Sequence, residues 1–142
     1  MKLDKTIFDC KLVQIPKHKL GLANHVKISS EISSTFNVKR IYYLYDVPSG
    51  AERGGHAHYE LEQYIVAVTG SFDVVLDDGS QKKIFSLNRP DIALHIVPGL
   101  WRSIENFSSG SVCLVLASEH FYESDYIRNY QKFLQIKKTI KN

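Results

Sequence analysis

Three side chains in the run 50–62 have the types and spacing for chemistry: His56, His58 and Glu62. In an extended segment successive side chains alternate between faces, so the His-x-His pair points one way. Glu62, four residues after His58, keeps that parity if the strand runs on unbroken. Two imidazoles and a carboxylate on one face can hold a metal ion. They can equally move protons, because histidine titrates near neutral pH. Histidines on a surface loop are the plainer reading, and the flanking Gly50, Gly54 and Gly55 with the in-register carboxylate weigh against it. His95 stands at odd parity to Ile92, Leu94 and Ile96, so it could face the same pocket or pack elsewhere. His18, His25 and His120 have no such constellation around them.

The elements that must position these residues read as short strands between turn signals. Residues 40–47 are aromatic and branched and stop at Pro48-Ser49-Gly50. Strands are expected over 62–69, 71–76, 82–87, 92–97, 101–107 and 112–117. Asp77-Asp78-Gly79 marks a hairpin, because Asp-Gly tolerates the positive φ of tight turns. After Ser124-Asp125 the period changes. Apolar residues at Tyr126, Ile127, Tyr130, Phe133, Leu134 and Ile136 have helical spacing, with Ser124 as expected N-cap and Asp125 at the positive end of the dipole. The first 35 or so residues carry no clear period. The pattern predicts an all-β sandwich or small barrel with a C-terminal helix.

Composition bounds the setting. A chain of 142 residues, 44% hydrophobic, fits one domain over residues 1–142 with a real core. A net charge of +3, concentrated at Lys132, Lys137, Lys138 and Lys141, is too mild for a nucleic-acid binder and suits a solvated helix end. Cys10 and Cys113 form no CxxC pair, which argues against a thiolate zinc site and for reduced thiols. No run approaches ~20 apolar residues and the N-terminus has no leader-like apolar stretch, so neither membrane span nor signal peptide is expected and the cytoplasm is the default location.

The run from Gly50 through His56-Ala57-His58 and Glu62 to Gly70 resembles the first motif of the cupin superfamily, with the final glycine one residue late. The resemblance implies a small β-barrel or jelly roll in which both histidines and the glutamate ligate a metal. It also implies a fourth ligand, a histidine, in a second motif. That motif appears as Pro98-Gly99-Leu100-Trp101-Arg102-Ser103-Ile104-Glu105-Asn106, and the histidine position holds Arg102. A guanidinium stays protonated and offers no lone pair to a metal. Arg102 therefore argues against a bound metal and for an anion or a polarised carbonyl in the pocket.

A narrower resemblance covers residues 36–134 in order and spacing. Its markers are Arg40-Ile41-Tyr42-Tyr43, Arg53-Gly54-Gly55-His56-Ala57-His58, Leu61-Glu62-Gln63, Leu76-Asp77-Asp78-Gly79, the run 101–108 and the run 114–130. Together they resemble the dTDP-4-keto-6-deoxyglucose 3,4-ketoisomerases. The resemblance implies a metal-independent cupin without cofactor, a homodimer with exchanged N-terminal strands, a dTDP-linked sugar as substrate, and a role in making deoxy sugars for surface polysaccharides. Moving a ketone from C4 to C3 removes the C3 proton, passes through an enediol(ate) and adds a proton at C4. His56 and His58 are the residues for this, one acting at carbon and the other between the oxygens, in an order the sequence leaves open. Acid–base catalysis alone gives about a hundred- to ten-thousand-fold, so the oxyanion needs fixed donors. Tyr43 and Arg102 are the candidates. Glu62 is expected to orient one of the two histidines, His95 is a further candidate for substrate binding, and Arg40, Arg53 and Lys83 are the cations available to a diphosphate. Arg102, where some relatives carry histidine, points to a gluco-configured product.

Three other readings compete. A sugar-nucleotide 3,5-epimerase needs a His–Asp couple and an acidic tyrosine, which the spacing does not reveal. A sugar-binding module would use the same residues without turnover, and a metal-dependent dioxygenase would need the missing ligand.

Overall fold

The structure is a computed structural model and describes residues 2–28 and 37–141. In chain order the strands are β1 (Lys11–Gln14), β2 (Lys17–Leu20), β3 (Ala23–Val26), β4 (Arg40–Leu44), β5 (Arg53–His58), β6 (Gln63–Thr69), β7 (Phe72–Asp77), β8 (Lys82–Leu87), β9 (Ile92–Ile96), β10 (Trp101–Glu105), β11 (Val112–Ala117) and β12 (Tyr126–Ile127), followed by helix α1 (Tyr130–Lys141). They form two five-stranded sheets, β1-β9-β6-β11-β4 and β12-β5-β10-β7-β8, with β2 and β3 as a separate hairpin. Every pairing among the described residues is antiparallel. The expected jelly roll is present as two facing sheets rather than one closed barrel.

Alternation within the strands builds the core between the sheets. Phe72, Val74 and Leu76 of β7, Leu94 and Ile96 of β9, and Cys113 and Val115 of β11 all point into it and are essentially buried. Truncating one of these, such as Leu76→Ala, would cost about 2–5 kcal/mol. The opposite face of the first sheet is a second, smaller cluster of Ile15, Tyr64, Val66, Ala93 and Leu116. The outer face of the second sheet is covered by α1, where Phe133 packs with Trp101, 5.7 Å between ring centroids, and with Ala57 and Ile127.

The Asp-Gly turn sits where expected. Gly79 takes φ +90°, and the Asp77 and Asp78 carboxylates accept from the backbone N–H groups of Gly79, Ser80 and Gln81 at 2.7–2.9 Å. The C-terminal helix starts later than its apolar spacing suggests. Glu123–Asp125 is a 3-10 turn and Tyr126–Ile127 pairs as β12 with β5, so Ser124 caps nothing. The N-cap is Asn129, whose Oδ1 accepts from Lys132 N–H at 2.8 Å. Tyr126 and Ile127 mimic helical periodicity because one is needed in the pocket and the other in the core under α1. Asp125, expected at a helix dipole, is used elsewhere.

Candidate active site

The two histidines stand on β5 and face the inter-sheet space, while Ala57 between them faces α1. β10 runs alongside, and its Arg102 pairs directly with His56. Arg102 shares the inward parity of Ile104, so the guanidinium lies on the face that carries the imidazoles. The two rings meet edge to face at 4.8 Å between centroids. Tyr126 from β12 closes on both, at 4.9 Å from His56 and 4.4 Å from His58.

His58 is 1% exposed and has a defined tautomer. Its Nδ1 lies 3.0 Å from Asp125 Oδ2. An ionised carboxylate only accepts, so Nδ1 carries the proton and Nε2 keeps its lone pair. Burial pushes the imidazole down to about 4, with Arg102 and Arg40 adding to the depression and Asp125 opposing it. Burial alone would raise Asp125, but the bonds from His58 and from the Glu60 and Leu61 N–H groups outweigh it and hold the carboxyl below its ordinary value. Those N–H groups donate at 2.7 and 3.2 Å, so the carboxylate is fixed before it orients the ring.

Arg102 is the largest side chain with full burial. Its Nη2 donates to Leu100 O at 2.9 Å, and among the described residues Nε and Nη1 find no acceptor. Burial lowers its pKa to about 10, which leaves it charged at neutral pH. A buried cation with two undirected N–H groups is costly in a fold and useful to an anion. Across the pocket, β4 contributes Arg40 and Tyr42. The Arg40 guanidinium lies over Tyr42 at 5.2 Å and Phe121 at 5.6 Å. Tyr42 is raised by burial and by the neighbouring Tyr126 phenol, so it stays a phenol donor.

Several expected residues lie elsewhere. β5 ends at His58, and the turn through Tyr59–Leu61 resets parity before β6 begins. Glu62 therefore points to the opposite face of the first sheet, where its Oε1 lies 3.2 Å from His95 Nε2. His95 stacks on Tyr64 at 4.9 Å on that same outer face, away from Leu94 and Ile96 of the core. The residue that enters the inner face in place of Glu62 is Gln63, 4% exposed. The one-residue lateness of Gly70 was a signal for this, since a six-residue gap counted back from it falls on Gln63. Tyr43 is 61% exposed on the outer side of β4; the inward tyrosine is its neighbour Tyr42. Lys83 is exposed, stacked over Phe85 at 4.8 Å, and separated from Arg102 by Leu76 in the strand register. The backbone of Arg53 belongs to β5, and its side chain lies outside the described residues. Asp125 and Tyr126 were missed because they sit 67 and more residues from the histidines, in a segment read as helix.

Among the described residues no three His, Cys, Asp or Glu side chains converge as a metal site. The inner face carries two imidazoles, two guanidiniums, an amide and two phenols, with the Asp125 carboxylate behind His58.

The profile of the family described as FdtA: WxcM-like, C-terminal, matches residues 8–138. A TDP-4-oxo-6-deoxy-alpha-D-glucose-3,4-oxoisomerase from Aneurinibacillus thermoaerophilus is 41% identical over 108 residues, 76% of this chain and 78% of the relative. Among solved structures, a 3,4-ketoisomerase from Helicobacter canadensis superposes with TM-score 0.87 at 39% identity, covering 92% of this chain and 98% of that one. The 3,4-ketoisomerase QdtA from Thermoanaerobacterium thermosaccharolyticum, solved with TDP, gives TM-score 0.90 at 33% identity over 95% and 98% of the two chains.

Proposed function

The chain belongs to the FdtA, WxcM-like C-terminal family, and on that premise we propose that it is a sugar-nucleotide 3,4-ketoisomerase acting on a TDP-linked 4-keto-6-deoxyhexose. The observation that carries the reading is the convergence of His56, His58 and the buried Arg102 on one inner face, with Asp125 fixing the His58 tautomer. Proton transfer between adjacent carbons needs two bases close together and a cation for the oxygen on which charge develops.

The low basicity of His58 sets its role. A ring held to about 4 is a weak base for carbon, and a good relay between oxygens. We assign the C3 proton to His56, which returns it to C4, and the transfer of the hydroxyl proton from O3 to O4 to His58. In the enediolate the negative charge sits on oxygen, where the spare Nε–H and Nη1–H of Arg102 and the Tyr42 hydroxyl can donate. Isomerisation closes without a redox partner, since one proton leaves C3 and one is added at C4. Arg40 is the cation we assign to the diphosphate. Arg128 lies over the Tyr126 ring at 4.1 Å but is already neutralised by Glu123.

The same reading includes a homodimer, a cytoplasmic setting and a product destined for surface polysaccharide. The dimer is supported by the exposed apolar side chains Ile41, Tyr43 and Tyr45 along edge strand β4 and by the solvent-exposed β2–β3 hairpin with Leu20 and Leu22. One observation favours a second reading. The His58–Asp125 couple beside Tyr126 is the set a 3,5-epimerase needs.

Incubation with TDP-4-keto-6-deoxyglucose in deuterated water, followed by NMR, separates the readings. A 3-keto product with deuterium at C4, or with the original hydrogen carried there from C3, is expected, and the C4 coupling reports gluco or galacto configuration. Deuterium with inversion at C3 or C5 and the ketone still at C4 would indicate the epimerase, and no conversion a binding module. His58→Gln should still exchange the C3 hydrogen while forming little product, whereas His56→Gln should do neither.

A further inference from the structure

Helix α1 reaches the active site from behind, through a lysine. Lys137 is 6% exposed, and its ammonium donates to three backbone carbonyls: Leu3 O at 2.7 Å, Lys5 O at 2.8 Å and Gly99 O at 2.9 Å. All three protons are used. Burial lowers its pKa, and the nearby Asp78, Asp4 and Asp9 oppose that loss of charge.

The carbonyl that matters is that of Gly99. The segment Pro98-Gly99-Leu100 joins β9 to β10 and grips both halves of the catalytic constellation. Gly99 N–H donates to His58 O at 2.9 Å, and Leu100 O accepts from Arg102 Nη2 at 2.9 Å. Gly99 adopts φ +80°, and a Cβ there would lie 2.9 Å from Leu3 Cα, so the segment is pressed against the N-terminal turn. One backbone segment thus places the base relay and the oxyanion cation relative to each other, and Lys137 is the side chain that ties this segment to both the helix and the N-terminus.

Resting on the isomerase reading above, we propose that Lys137 is a positioning residue for the proton transfer, setting the spacing of His58 and Arg102 through Gly99. Docking the helix does not require it. Phe133 against Trp101 and the Tyr130 hydroxyl on Asp77 at 2.5 Å already do that, and an apolar side chain at 137 would avoid burying a charge. Proton transfer is sensitive to such spacing, and displacement by about 1 Å can cost about a hundredfold in rate.

The test compares Lys137→Met with Tyr130→Phe, which removes a different polar anchor of the same helix, at a temperature where both are folded. Lys137→Met should lower kcat about tenfold or more with KM within about twofold, and Tyr130→Phe should lower the melting temperature with kcat unchanged. Lys137→Gln, which retains two donors, should fall between Met and wild type, and it decides the matter if Lys137→Met does not fold. Wild-type kcat in the folded lysine variants, or an equal loss in Tyr130→Phe, overturns the proposal. If wild-type protein turns over no TDP-4-keto-6-deoxyglucose, the isomerase reading fails instead. The His58 imidazole resonances in the ligand-free protein then test the positioning alone, being shifted by Lys137→Met and not by Tyr130→Phe, and an unshifted ring overturns it.

Discussion

Arg102 spends folding energy on a charge that the core does not need. Its unpaired Nε and Nη1 are each groups whose burial costs roughly 1–3 kcal/mol. Arg102→Met should therefore unfold at the same temperature as wild type or higher, while kcat falls about a hundredfold or more if it is the oxyanion donor proposed above. A melting temperature several degrees lower would mean that the guanidinium is structural. His58 makes a second residue-scale prediction. Its ordinary value is 6.5 and its folded value about 4, so between those pH values only the unfolded chain takes up the proton. Stability therefore falls on acidification, beginning near the ordinary value and complete below the folded one. The loss attributable to His58 is about 2 kcal/mol from pH 7 to pH 5. Asp125, also depressed, adds loss in the same direction at lower pH. Urea titrations should show this slope in wild type and a shallower one in His58→Gln; parallel slopes would contradict the burial of a neutral ring.

At the scale of elements, the segment between β11 and α1 decides both the helix start and the site. Asn129→Ala removes the cap on Lys132 N–H and should cost about 1 kcal/mol, with activity retained. Ser124→Ala should change stability by less than about 0.5 kcal/mol, since that hydroxyl caps no helix. The reverse order in thermal unfolding would restore the helix start at Ser124. The strands themselves were legible because each has one face in the core and a turn residue at its end: 82–87 and 112–117 are found as expected. The helix start was not, because Tyr126 and Ile127 pair with β5 at positions that happen to continue the spacing of Tyr130 and Phe133.

For the whole molecule, the face carrying Ile41, Tyr43 and Tyr45 is the place to break the proposed dimer. Tyr43→Asp should shift sedimentation from dimer to monomer at micromolar concentration, and a variant that stays dimeric would place the interface elsewhere. No helix among the described residues is long and apolar enough to cross a membrane. The chain's sequence alone determined the strand alternation, the His56–His58 pair on one face, and the arginine at the position where the resembling cupin motif carries a histidine. All of these are local or motif-bound, and strand parity is a property of neighbouring residues. Only the tertiary structure decided that Gln63 rather than Glu62 and Tyr42 rather than Tyr43 face the pocket, and that Asp125 and Tyr126 complete it. Parity is lost at the turn after His58, and in β4 it is set by which side the core occupies. Asp125 meets His58 only because β12 adds to the edge of the second sheet, a pairing 67 residues distant that no local period encodes.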